Sequence, residues 1–258
     1  MLIAVDIGNS SIGIGYFSGD GLVVQKIDAG RRMDAEQYAA VIREFMDRNS
    51  LEKEEISCII SSVAPNLTGT VKKGLAQLTG GKIADILTVD HRLHSGLKFG
   101  VEEPEEVGTD RIANAVAACN LYSPPVAVVD FGTATTVTVV DEECRYIGGS
   151  IMPGLGLMND ILEEGTSRLK RVALEAPSRA LGVNTDGCIL TGLFFGTAGG
   201  VERILAEIES ETGFTLTVVI TGGFAPAIES FIKRPHYVSS HLTLQGLKTL
   251  HEKNRRIA

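Results

Sequence analysis

One turn is written twice in this chain. LIAVDIGNSSIGIGYF (residues 2–17) and VAVVDFGTATTVTVV (residues 126–140) each run apolar, then Asp-x-Gly, then small hydroxyl or amide residues, then apolar again. By simple offset Asp6 matches Asp130, Gly8 matches Gly132, Asn9 matches Thr133 and Ser11 matches Thr135. Such a stretch reads as strand, tight turn and return strand. The same order of elements follows both copies. After the first come the turn SGDG (18–21), a third strand at LVVQKI and a helix over DAEQYAAVIREFMDRN. In that helix Tyr38, Val41, Ile42, Phe45 and Met46 fall at helical spacing, and Asp34 with Gln37 suits a capping box. A buried strand ISCIISSV, a helix over 66–78 and a strand KIADILTV complete the half. After the second copy come a strand over 145–151, helices of which the clearest begins near Asp186, the strand FTLTVVIT, a helix after Gly223 and a last helix through LQGLKTLHEKN. Each half therefore reads roughly β-β-β-α-β-α, a duplicated unit of about 120 residues rather than a short solenoid repeat. No low-complexity linker divides the halves. The boundary is expected in the helix RIANAVAACNLY, giving domains over 1–115 and 116–258.

Charge and cysteine usage narrow the function. A net charge of -8 argues against a nucleic-acid surface, and the basic pairs Arg31-Arg32 and Arg255-Arg256 read as solvated. Cys58, Cys119, Cys144 and Cys188 show no metal or redox spacing; Cys58 and Cys119 read as buried thiols, reduced in a cytosolic protein. His91, His94, His236, His241 and His251 have no metal spacing either. Asp6 interrupts the apolar start and no basic segment precedes it, so no signal peptide is expected, and no apolar run approaches the length of a membrane span. A cytoplasmic protein without membrane partners is the expectation.

A carboxylate at a strand end, beside a glycine turn that lets phosphate approach backbone N–H groups, needs a cation between the two anions. Magnesium shared with substrate phosphates supplies it. Two such turns can hold a nucleotide triphosphate between two domains. VVITGGFAPAI (218–228), a strand ending in Thr-Gly-Gly before a helix, adds a place where a ring or ribose can meet backbone. There is no P-loop, since Gly80-Gly81-Lys82 lacks its spacing, and no protein-kinase signature. From spacing alone Asp110 reads as a helix N-cap and Arg111 as a solvated charge.

The paired turns and the late Thr-Gly-Gly resemble the superfamily of actin, sugar kinases and chaperone ATPases. Within it the chain is most similar to type III pantothenate kinases, through DIGNSS (6–11), IISSVAP (59–65), EEPEEVGTDRIANAVAA (102–118), DFGTATT (130–136), GGSIMPGL (148–155), Asn184-Thr185, TGGFA (221–225) and LTLQGL (242–247). The resemblance implies an α/β fold of two duplicated ribonuclease-H-like domains with a cleft between them. It implies ATP-dependent phosphorylation of the 4′-hydroxyl of pantothenate, the first step of coenzyme A biosynthesis. By the same resemblance Asp110 is the catalytic base, and Arg111 holds the pantothenate carboxylate with Gly108 and Thr109 beside it. Asp6, Ile7, Gly8, Asn9, Ser10, Ser11, Ile12 and Gly13 form the first phosphate turn, with Asp6 near Mg²⁺. Thr133 contacts ATP, Gly222 and Gly223 face the adenosine, and Asp130 binds a monovalent cation, K⁺ or NH₄⁺. Thr185 completes the pantothenate pocket from the neighbouring subunit of a homodimer.

The chain departs from that pattern at Val101, where the family commonly has a pocket-lining Tyr, and at Glu103, where it has Asn. Ser10 and Ser11 replace the commoner Thr-Asn, and Thr109 replaces Ala, which reads as a minor change. Two other functions therefore stay open: a kinase for another small hydroxyl acceptor, and a non-catalytic nucleotide-binding regulator. The four residues Asp6, Asp110, Arg111 and Asp130 favour catalysis, because a binding module has no need of all of them.

Overall fold

In the first sheet, β-branched residues at alternate positions face one side and build a core. The computed structural model describes residues 1–19, 21–51 and 55–255; Asp20 of the SGDG turn and Arg256 of the terminal basic pair lie outside them. Strands β1 (Leu2–Ile7), β2 (Ser11–Ser18) and β3 (Gly21–Asp28) form an antiparallel meander. Helix α1 (Ala35–Arg48), strand β4 (Ser57–Ser62), helix α2 (Pro65–Thr79) and the short strand β5 (Leu87–Thr88) follow. The sheet order is β3-β2-β1-β4-β5, with β4 parallel to β1 and β5 parallel to β4. Ile3, Val5 and Ile7 of β1 join Ile12, Ile14 and Tyr16 of β2 in one cluster with Tyr38, Ile42 and Met46 of α1 and Val71 and Leu75 of α2. The capping box at α1 is present: the Gln37 N–H donates to Asp34 Oδ1 at 2.9 Å, and the Asp34 N–H donates to Gln37 Oε1 at 3.0 Å. The strand expected over 82–89 is shortened. Asp85 accepts from the Lys82 N–H at 3.0 Å, which closes a 3₁₀ turn over Ile83–Asp85 and leaves only β5 to pair.

The second sheet begins with β6 (Lys98–Phe99), before helix α3 (Thr109–Leu121). It continues through β7 (Val126–Phe131), β8 (Ala134–Val140), β9 (Arg145–Pro153), helices α4 (Leu155–Glu164) and α5 (Thr185–Thr212), β10 (Thr217–Thr221), α6 (Ala225–Ile228) and β11 (Tyr237–Val238). Its order is β11-β10-β7-β8-β9-β6. With β6 set aside, both sheets place the first strand centrally, its antiparallel meander on one side and parallel strands on the other. This is the duplicated ribonuclease-H-like fold. Helix α5 is long and apolar enough to cross a membrane by length and composition alone. Its Leu193, Phe194, Ala198, Val201 and Leu205 are nevertheless buried in the core of this unit, which accounts for the hydropathy.

The chain divides into one unit of Met1–Leu97, Glu102–Ala117 and Leu242–Ala258 and another of Lys98–Val101 and Ala118–His241. These compact units differ from the expected division at 115/116 in two ways. The last helix, α7 (Leu242–Arg255), leaves the second half and belongs to the first unit, packing on β1, β2 and β4 with Leu244, Leu247 and Leu250 buried. Its physical cause is close fit. Gly246 lies so near the Ala113 backbone of α3 that any Cβ would overlap it, and the Thr243 hydroxyl donates to buried Asn114 Oδ1 at 2.9 Å. Second, β6 joins the other unit by pairing with β9.

The cysteines also need one correction. Cys58 is buried, and burial pushes its thiol up to about 12, as expected of an inert core cysteine. Cys119, expected to be a free thiol, is joined to Cys144 in a disulfide. The pair is separated by 25 residues, so spacing gave no signal of it. The end of α3 and the turn between β8 and β9 bring the two Cα atoms to 5.9 Å.

Candidate active site

The two duplicated turns differ by one residue. In the first unit Ile7 pairs with Ile12, and the Gly8 N–H donates to Ser11 O at 3.0 Å. In the second, Phe131 pairs with Thr135, and the Gly132 N–H donates to Ala134 O at 3.1 Å. Asp6 and Asp130, and Gly8 and Gly132, are therefore equivalent as read. Ser11 is equivalent to Ala134 rather than to Thr135, because the shorter second turn shifts the register. The longer first turn exposes Asn9 and Ser10. Ile7 and Ile12 are fully buried, so of the expected first-turn residues these two have only backbone to offer a ligand.

Asp6, one residue before the end of β1, sits directly across from Ser61 of the parallel strand β4. Residues paired in this way project to the same face. The Ser61 hydroxyl, fully buried, donates to Asp6 Oδ1 at 3.0 Å. Ser61 Oγ also lies 3.0 Å from Thr109 Oγ1, at the start of α3. Thr109 is pinned further: its oxygen accepts from the Ser62 N–H at 2.9 Å, and its hydroxyl reaches Ser62 O at 3.1 Å. Asp110 follows in the first turn of the helix, where its Oδ1 accepts from the Arg111 N–H at 2.8 Å. Burial raises the Asp110 carboxyl above its ordinary value, and the Arg111 N–H and guanidinium oppose that rise. Gly108 allows this arrangement, since a Cβ there would stand 2.6 Å from Asp110 Oδ1. Asp6, Gly108, Thr109, Asp110 and Arg111 are thus collected in the first unit. The sequence reading missed Ser61. Its signal was present in ISCIISSV, where a strand of apolar residues ends in two serines.

The second unit collects Asp130, Thr133 and Gly222. Asp130 pairs with Thr221 of the parallel strand β10, the residue just before Gly222. Gly222 has φ +99°, and a Cβ on it would overlap Asp130 Oδ1 and the Phe131 backbone. Only glycine fits there. The Phe224 N–H donates to Phe131 O at 2.9 Å, tying the Thr-Gly-Gly turn to the strand that carries Asp130. Thr133 O accepts from the Gly154 N–H at 3.0 Å, and Gly223 is exposed. Thr185 stands apart at the start of α5, exposed, with Asn184 capping that helix by accepting from the Gly187 N–H at 2.7 Å. Val101 lies just after β6, half-buried.

Among the described residues no three His, Cys, Asp or Glu side chains converge as a metal cage. The Asp6 carboxylate is held by a buried hydroxyl.

The family model described as type III pantothenate kinase matches residues 2–207. The chain is 36% identical over 256 residues to a protein of that name from Moorella thermoacetica, covering 98% of this chain and 100% of the other. It is 37% identical over 257 residues to one from Brevibacillus brevis, covering 99% and 100%. Among solved structures, a conserved Baf family protein from Campylobacter jejuni superposes with TM-score 0.62 at 17% identity, covering 98% of this chain and 99% of that one. An activator of 2-hydroxyisocaproyl-CoA dehydratase from Clostridium difficile, with bound ADPNP, superposes with TM-score 0.55 at 13% identity, covering 99% and 96%. These two likenesses concern the fold alone. Matched over most of its length by the family model and over nearly all of it by these relatives, this chain belongs to the type III pantothenate kinase family.

Proposed function

We propose that this chain transfers the γ-phosphoryl group of ATP to the 4′-hydroxyl of pantothenate, the first step of coenzyme A biosynthesis, in the cytoplasm. The observation that carries the proposal is Asp110: a half-buried carboxylate, raised in pKa, one residue from a guanidinium and joined through its neighbour to the Asp6 turn. Asp110 accepts the proton of the 4′-hydroxyl as that oxygen bonds to the γ-phosphorus, and the bond to ADP breaks. A carboxylate whose pKa is raised is the stronger base, as this step requires. Arg111 receives the pantothenate carboxylate through its two-pronged donor face. The backbone from Gly8 to Gly13 and the Thr133 hydroxyl orient the phosphates, while Gly222 and Gly223 leave room for the nucleoside. Asp6 holds Mg²⁺, which neutralises phosphate charge, and Asp130 takes K⁺ or NH₄⁺. In phosphoryl transfer the protein contributes mainly position and charge, and this set of groups is suited to both.

The pocket's last wall, with Thr185, comes from a second copy of the chain. Ile151, Ile161, Leu181 and Val183 support this, large apolar side chains each at least 66% exposed in the second unit, of the kind a homodimer would cover. Sedimentation of the purified protein tests it, and a monomer at micromolar concentration would remove that wall from the proposal.

The deciding assay is ADP release with pantothenate, Mg²⁺ and K⁺, run beside Asp110→Asn. Turnover that needs pantothenate and potassium and collapses in the variant supports the assignment. Folded protein that binds ATP and shows no pantothenate-dependent turnover refutes it. Val101 favours one second reading, a kinase for a different small hydroxyl acceptor, because a branched aliphatic stands where the family commonly places a Tyr. A panel of hydroxy-acid amides separates the two.

A further inference from the structure

Thr109 reads in the sequence as a minor replacement of Ala, yet its hydroxyl meets three polar groups of β4. It touches Ser61 Oγ at 3.0 Å, the Ser62 N–H at 2.9 Å and Ser62 O at 3.1 Å. Ser61 in turn donates to Asp6 Oδ1 at 3.0 Å and is fully buried. The result is a continuous bridge from the Asp6 carboxylate near the end of β1, through β4, to the first residue of α3, one residue before Asp110. An alanine at 109 has no atom that could make these contacts.

Proton counting shows how the bridge is ordered. Two hydroxyl protons serve three acceptors: Asp6 Oδ1, Ser61 Oγ and Ser62 O. With Asp6 ionised the Ser61 proton is committed to it. Ser61 Oγ is then an acceptor, and the Thr109 proton is shared between it and Ser62 O. The Ser62 N–H fills a remaining lone pair of Thr109. Each group has a partner in a part-buried setting, where a lost partner is costly.

The rest of α3 makes this end decisive. From Ile112 to Ala118 every residue is at most 2% exposed, so the helix body is fixed by packing. Its first turn, with Asp110 and Arg111, is anchored to the sheet through Thr109. We infer that Thr109 and Ser61 are positioning residues, setting the Asp110 base in register with the Asp6 carboxylate. This rests on the kinase reading for the roles of Asp6 and Asp110, but the bridge itself can be tested without it.

The test compares Thr109→Val, which keeps shape and removes the hydroxyl, with Thr109→Ser, which restores it, and with Ser61→Ala. In Thr109→Val, kcat is expected to fall about tenfold to hundredfold, as mispositioning of a base does, with KM for ATP and pantothenate changed by no more than about threefold. Thr109→Ser is expected to recover most of kcat. The Ser61→Ala and Thr109→Val losses should be strongly non-additive, because both break one bridge. Independently of turnover, amide exchange at Ser62 in substrate-free protein should quicken about fivefold or more in Thr109→Val and not in Thr109→Ser. Unchanged Ser62 exchange in Thr109→Val overturns the bridge. Quickened exchange with kcat within twofold of wild type overturns the positioning role. If wild type has no activity on pantothenate, the kinase reading fails and the bridge is judged on exchange alone.

Discussion

Replacing Asp110 with Asn separates what the site does from what it costs the fold. The amide has nearly the shape of the carboxylate, and its Oδ1 can still accept from the Arg111 N–H, now at 2.8 Å. It cannot take a proton from an attacking hydroxyl. Loss of a general base lowers turnover by about two to four orders of magnitude, or about 3–5 kcal/mol of barrier. Stability should move the other way. Burial outweighs the attraction of Arg111, so the ionised form is disfavoured in the native state and the pKa stands above the ordinary 3.8. The native protein then binds its proton more tightly than the unfolded chain does. Linkage gives the sign: stability falls as pH rises from the ordinary value through the raised one, and the cost is fully present above both. The variant does not titrate there, so at pH 8 it should be more stable than wild type, by about 0.5–2 kcal/mol. The gap should close as pH drops through the raised value. Thermal melting of both proteins from pH 3.5 to pH 8, beside the ADP-release assay, reads both effects. A variant that turns over within tenfold of wild type, or that melts below it at pH 8, would refute the reasoning.

Other substitutions probe the remaining elements. Gly222→Ala forces a side chain onto a left-handed backbone and into Asp130 and Phe131; it should cost about 3 kcal/mol or more in a denaturant melt and weaken ATP binding in calorimetry. Asp130→Asn should abolish the dependence of turnover on potassium, and an unchanged potassium titration would dissociate that residue from the cation. Leu247→Ala empties a fully buried position on α7 and should destabilise the first unit by about 2–5 kcal/mol, read as faster amide exchange in β1 and β4. Reducing Cys119–Cys144, a link across 25 residues, should lower stability by about 3 kcal/mol in guanidinium; equal midpoints with and without dithiothreitol would show that the link contributes nothing.

The duplication was legible because it lies in short-range pattern. Asp-x-Gly between apolar runs fixes a hairpin, and its recurrence at Asp130 fixes the second sheet. The capping box at Asp34 is equally local. What pattern cannot carry is pairing across long stretches of chain. Ser61 and Thr109 meet across 48 residues and Thr243 and Asn114 across 129, so neither contact leaves a periodic trace. The same holds for the disulfide and for the shift of Ser11 to Ala134, which depends on hydrogen-bond register inside a turn. Strand 82–89 failed for a different reason: an apolar run there competes with a local Asp85 turn, and the turn prevails over most of it.

Because α7 closes the first unit from the far end of the chain, the order of synthesis inverts the order of completion. The segment Ala118–His241, with β6 ahead of it, can assemble as soon as it leaves the ribosome. The first unit, although made earlier, must wait with the β1 and β4 surface uncovered until Leu244, Leu247 and Leu250 emerge. During that interval the nascent chain presents an apolar sheet face, the kind of surface on which chaperones act and misassembly begins. A premature stop near residue 241 would therefore spare the half it is closest to and leave the oldest part of the protein unfinished.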